Sequence, residues 1–355
     1  MKTLYIALLS SVLLCKCNAA KQTTPTPTPT SASAVAVGSA PVAVAVNSVT
    51  NQIYVANDQS NNVTVIDGAT NNTRTVAVGT APVAVAVNWV TNQIYVANEE
   101  SDNVTVINGA TNNTTTVATG LSPYAVAVNP NTNQIYVTNG ASNNVTVIDG
   151  ATNSTTTVAV GNSPDAVAVN SVTNQIYVAN ADGTVTVIDG ATNNTTTVDA
   201  GIYSFAVAVN PNTNQIYVAN EESDNVTVID GATNNTTTVT AGNRSVAVAV
   251  NPNTNQIYVA NYNSSSVTVI DGATNSTTKV AVGTSPCAVA LNSNTNQIYV
   301  PNSASNNVTV IDGATNNTTT LTVGNNPDAV AVNLTTNNIY VANAVSNNVT
   351  VLTSQ

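Results

Sequence analysis

The tripeptide Ile-Tyr-Val recurs along this chain, with its tyrosine at Tyr54, Tyr95, Tyr136, Tyr177, Tyr217, Tyr258, Tyr299 and Tyr340. Successive copies are 41 residues apart except for one step of 40. A fixed period of that size restricts the chain to a propeller, a solenoid or an array, because each unit can bury its apolar face only against a neighbour. The short step has a local cause. The first unit carries Asn57-Asp58-Gln59-Ser60-Asn61-Asn62 before Val63, whereas the fourth has only Asn180-Ala181-Asp182-Gly183-Thr184 before Val185. One residue is lost, and Asp-Gly supplies a tighter turn.

Each unit reads as four short strands. Around Tyr258 these are Val246 to Val250, Gln256 to Ala260, Ser266 to Ile270 and Thr277 to Val282. Turns at Asn251-Pro252-Asn253-Thr254-Asn255 and Asp271-Gly272-Ala273-Thr274-Asn275 and a loop over 261–265 separate them. Strands of about five residues divided by Asn, Gly and Pro turns make an antiparallel meander that leaves no room for a helix. Composition agrees: 43% of residues are hydrophobic and 6% charged. That is too apolar for a disordered chain and too poor in Lys and Glu for a helical one, while abundant Val and Thr favour pleated strands.

The ends of the repeat choose between ring and stack. The eighth unit has strand one (Ala329 to Val332), strand two (Asn338 to Ala342) and strand three (Val349 to Leu352), and no fourth. The segment from Ser33 to Val37, before Gly38, matches a fourth strand and nothing else. The expected fold is therefore all-β: an eight-bladed β-propeller of four-stranded antiparallel blades, closed when Ala34 to Val37 completes the last blade. An open solenoid would expose strand edges at both ends and would call for polar capping units.

The pattern PxAVAVNPNTNQIYVANxxSNNVTVIDGATN resembles the YVTN repeat of bacterial and archaeal β-propellers, over essentially all of residues 33 to 355. The tetrapeptide itself stands at Tyr136 to Asn139, as YVAN in six units and as YVPN at Tyr299 to Asn302. The chain is similar to the propellers of archaeal surface-layer proteins and of secreted bacterial proteins of that type. The resemblance implies a role at the cell surface. Seven blades are common among such propellers; the eight expected here are a count from this sequence.

Residues 1 to 20 read as a signal peptide, with Lys2 ahead of an apolar stretch from Leu4 to Leu14 and Ala19-Ala20 at its end. That stretch is too short to span a bilayer. Cys15 and Cys17 invite lipidation, but Leu14 and Lys16 precede them where a lipidated cysteine follows a small residue. Residues 21 to 33 form a Thr/Pro linker, extended and without a core, and 34 to 355 form the propeller. Export to the cell surface or beyond follows. Cys287 is the one cysteine after the leader, so no intrachain disulfide is expected and the side chain reads as a small buried hydrophobe.

The chain carries a net charge of −11. Lys21, Arg74, Arg244 and Lys279 are the basic residues left after the leader, too few and too scattered to track a phosphate backbone. Neither nucleic acid nor membrane insertion of the mature domain is expected, and a monomer is. The absence of histidine removes the commonest general base and excludes Ser–His and Cys–His nucleophiles. No cofactor or metal is expected, because a single Asp in each Ile-Asp-Gly-Ala-Thr turn is too little for calcium. That aspartate should bond its own backbone while its glycine takes positive φ. Twenty Asn-x-Ser/Thr sequons occur, among them Asn62, Asn112, Asn193, Asn275 and Asn348, which glycosylation or plain turn chemistry would each explain. The eight tyrosines should fill the space between adjacent blades.

Function is sought where the repeat varies. One position at the start of strand one reads Val42, Val83, Tyr124, Asp165, Phe205, Val246, Cys287 and Asp328. In a propeller these ring the channel mouth, with Asp165 and Asp328 on opposite blades. The loop between strands two and three opens on the same face and is acidic at Glu99-Glu100-Ser101-Asp102 and Glu221-Glu222-Ser223-Asp224. The candidate ligand-binding residues are thus Tyr124, Asp165, Phe205 and Asp328 with Glu99, Glu100, Asp102, Glu221, Glu222 and Asp224. The leading expectation is a non-enzymatic binding or structural scaffold for a surface protein or glycan, in adhesion or envelope architecture. The alternatives are a channel-mouth enzyme of lactonase or lyase type and an inert spacer.

Overall fold

The computed structural model describes residues 31–353, which form eight four-stranded antiparallel sheets. The signal peptide, Cys15, Cys17 and the Thr/Pro linker up to residue 30 lie outside the described residues. In blade 1, strand one is Pro41–Asn47, strand two Gln52–Asn57, strand three Asn62–Asp67 and strand four Thr73–Ala77. The strands pair in chain order, and the other blades repeat the plan. Strand one is innermost: it packs on strand one of the next blade all the way round, including blade 8 onto blade 1.

The period-two alternation of each strand builds the blade interfaces. From blade 1, Tyr54 and Ala45 join Val63, Val65 and Val76 against Val87, Ile94, Val96 and Ile107 of blade 2. All eight tyrosines are essentially fully buried in such interfaces. Strand four faces outward: in blades 1 to 6 four of its five residues, mostly threonine, are exposed and one valine such as Val117 is buried, while blade 7 has the half-buried Leu321 in that place.

Blade 8 is completed from the N-terminal end. Ser31–Ala36 pairs antiparallel with Asn348–Thr353, from Ser31 opposite Thr353 to Ala36 opposite Asn348. The closing strand therefore starts ahead of Ser33 and stops before Val37, because its ladder runs as far as the partner strand does. Val35 enters the same core as Tyr340, Val349 and Val351 of blade 8 and Ile53, Val55 and Ile66 of blade 1. That is the place Val76 takes in blade 1.

A second device closes the ring. Asn47, at the end of strand one, donates its side-chain amide to Asn92 Oδ1 in the next blade at 2.8 Å. The same bond runs Asn88 to Asn133, Asn129 to Asn174, Asn170 to Asn214, Asn210 to Asn255, Asn251 to Asn296 and Asn292 to Asn337. Asn333 of blade 8 returns it to Asn51 of blade 1 at 2.7 Å. Eight head-to-tail amide bonds thus circle one face. Each donor's own Oδ1 also caps the following turn, as Asn47 does by accepting the N–H of Val49 and Thr50.

Three local expectations change. In the Ile-Asp-Gly-Ala-Thr turn, Asp67 accepts the N–H groups of Ala69 and Thr70 as expected. The positive φ belongs instead to Asn71, at 60°. Gly68 is needed for space: a Cβ there would lie 2.3 Å from Asn51 Oδ1, the acceptor in the amide ring. Single 3-10 turns at Asp58–Ser60, Glu99–Ser101 and Tyr262–Ser264 occupy loops read as irregular. In blade 7, strand one shrinks to Ala290–Asn292, with an isolated bridge between Pro286 and Asn302. The cause is Pro301 in strand two, which has no N–H to offer the inner strand. In blade 4 the expected tight turn is present, with Gly183 at φ 86°.

Candidate functional site

The variable position at the start of strand one falls on a β-bulge. In blade 1 the register slips between Pro41 and Ala43, leaving Val42 unpaired. Asp165, Phe205 and Asp328 sit at the same slip in blades 4, 5 and 8. A bulge frees a side chain from the pleat and re-aims it, so the repeat carries a ready-made presentation site in most blades. Blade 3 widens it. Thr138, the threonine of its YVTN, accepts the Ala125 N–H through its hydroxyl at 2.9 Å. The slip then extends from Pro123 to Val126, and Tyr124 stands 40% exposed.

These side chains converge on one mouth. Asp165, Glu99, Tyr203 and Asp328 all lie close enough to Tyr124 to raise the pKa of its phenol, after burial itself. Tyr124, Asp165 and Phe205 stand at the same level on the inner strands of three consecutive blades, and Asp328 stands at that level on blade 8. Tyr203 stacks on Phe205 with ring centroids 6.3 Å apart. Burial raises the Asp165 carboxyl to about 6, with Glu221 adding to the shift. Its Oδ2 has no hydrogen-bond partner. Asp328 is raised by burial alone. Cys287 donates its thiol to Pro327 O at 3.1 Å, and burial, then Asp328, pushes that thiol up to about 12. Such a thiol is inert as a nucleophile.

The acidic loops divide by role. Asp102 and Asp224 take left-handed backbone, φ 51° and 53°. They accept the backbone N–H of Ser122 and Arg244 in the next blade. Asn61 and Asn143 do the same for Ala81 and Ser163, so the two aspartates serve the scaffold. Glu99 accepts the Ser122 hydroxyl at 3.1 Å. Glu221 pairs with Arg244, whose guanidinium lies 4.9 Å over the Tyr262 ring. Glu100 and Glu222 are exposed. Tyr203, Arg244 and Tyr262 complete the mouth and were not among the residues expected there. The signal for the two tyrosines was an aromatic residue outside the Ile-Tyr-Val position, and for Arg244 a basic residue in a chain with few.

Toward the opposite face the channel is apolar: a cavity of about 280 Å³ is lined by strand-one residues such as Val44, Val248, Leu291 and Val332 and reaches Ser48, Ser293 and Leu334 just past the ends of those strands, with none of the variable rim residues in its wall. Among the described residues no group of three or more acidic or cysteine side chains is placed to hold a metal ion.

No protein-family model matches the chain, and no curated protein matches its sequence. Solved structures do resemble it. Kuenenia stuttgartiensis hydrazine synthase is similar at TM-score 0.65 and 17% identity, over 95% of this chain and 99% of that one. Saccharomyces cerevisiae Sqt1 is similar at TM-score 0.79 and 8% identity, over 91% and 98%. At such identities the likeness is one of fold, and the class it defines together with the sheets above is the all-β eight-bladed propeller.

Proposed function

We propose that this chain is an exported β-propeller of the YVTN-repeat type that binds a surface protein or glycan through the variable rim. One observation carries the reading. Outside the eight core tyrosines and Trp89, every aromatic residue among the described ones lies at this mouth: Tyr124, Tyr203, Phe205 and Tyr262. The outer strands, by contrast, present little but threonine. Aromatic side chains on a rigid rim supply contact area at little entropic cost. The test is capture from the source organism's cell surface by the intact protein and by the triple variant Tyr124→Val, Asp165→Val, Asp328→Val. A partner held by the parent and lost by the variant supports the reading; equal capture by both, or none by either, favours a spacer.

Asp165 supports a second reading. A carboxyl titrating near 6 suits general acid–base work in a channel-mouth enzyme. Turnover that disappears in Asp165→Asn would establish it.

A further inference from the structure

We propose that the mouth holds an organic ammonium group, packed against Tyr124 and the Tyr203–Phe205 pair with Asp165 and Asp328 as counter-charges. This deepens the binding reading above and rests on it.

The argument begins with what the rim already does. Arg244 is held by a carboxylate, Glu221, and by a ring face, Tyr262. Rings and carboxylates recur beside it, at the same bulge position on the consecutive inner strands of blades 3, 4 and 5. Tyr124 is exposed, Tyr203 and Phe205 are stacked, Asp165 is near enough to raise the phenols of both Tyr124 and Tyr203, and Asp328 acts on Tyr124. Asp165 Oδ2 lies buried without a partner. Arg74, Arg244 and Lys279 are the only cationic side chains among the described residues. Arg244, the one of these at the mouth, already has Glu221 as its partner.

A metal ion fits this poorly, since no three acidic or cysteine side chains among the described residues come within reach of one point and small divalent ions demand six or more oxygens. A bulky cation of low charge density fits better. It needs ring faces and diffuse negative charge rather than a tight ligand cage.

The experiment measures binding to the full-length protein by calorimetry, with four probes at constant ionic strength. These are choline, its uncharged isostere 3,3-dimethylbutan-1-ol, n-butylammonium and potassium ion. The variants are Tyr124→Val and the pair Asp165→Val, Asp328→Val. Valine already occupies this position in blades 1, 2 and 6, so the fold accepts it; thermal melts verify that. Choline or butylammonium should bind saturably, and whichever is tighter tells a quaternary source from a lysine-like amine. The neutral isostere should bind at least tenfold more weakly and potassium should not compete. Tyr124→Val should weaken binding by about three- to thirty-fold, and the paired variant by more than tenfold. An isostere as tight as choline, competition by potassium, or no binding by any probe overturns the assignment. The surface-capture result is separate and would leave the rim standing as a binding surface.

Discussion

Asn88 does two jobs from a fully buried position. Its amide donates to Asn133 across the blade interface, and its Oδ1 accepts the N–H of Val90 and Thr91. Asn88→Ala leaves those groups without partners and should cost about 1–3 kcal/mol in urea unfolding. Asn88→Asp keeps the turn acceptor but sets a buried carboxylate against Asn133 Oδ1, so it should be the more destabilising of the two. Titration divides the acids by sign. Asp67, Asp149, Asp189, Asp230 and Asp271 are lowered by the backbone N–H groups they accept. Their contribution is present above the ordinary carboxylate value and is lost as pH falls through their folded values. Asp165 runs the other way. Its folded value is raised to about 6, so its contribution is complete below the ordinary carboxylate value and is lost as pH rises through about 6. Asp165→Asn should therefore raise the melting temperature at pH 7.5 and leave it nearly unchanged at pH 4. An equal rise at both would show that the carboxyl is not destabilised by burial.

At the scale of elements, strand order and the outer faces were legible because alternation and turn residues act on every unit at once. What escaped was set by single atoms. Pro301 removes one donor and shortens an inner strand; Thr138 adds one acceptor and widens a bulge. Neither alters the hydrophobic pattern, so periodicity is blind to both. Pro301→Ala should restore the inner ladder of blade 7. Slower amide exchange over Ala288 and Val289 would show it, and unchanged exchange would mean that Cys287, not Pro301, interrupts the strand. The closing strand makes a stronger prediction. Deleting residues 31–36 uncovers the strand Asn348–Thr353 and removes Val35 from the seam. The melting temperature should fall on the order of 10 °C, and the bared edge should promote self-association visible by light scattering. A truncated protein as heat-stable as its parent would count against closure by this strand.

For the whole molecule, the eight-bladed ring and its seam follow from counting, and both are present. The positions that could form a rim were readable as departures from the repeat. Their assembly into one aromatic and acidic mouth was not, because loops of different blades meet only through the ring and their conformations are tertiary facts. Tyr203, Arg244 and Tyr262 belong to that class. So does the asparagine circuit, whose residues look like ordinary turn formers in any single unit. Because that circuit passes from Asn333 to Asn51 as it passes between every other pair of blades, the molecule has no privileged starting blade. Ser31 and Thr353 are register partners on neighbouring strands, so a short linker could join them. A circularly permuted chain, opened between any other two blades, would then build the same ring from a different first residue.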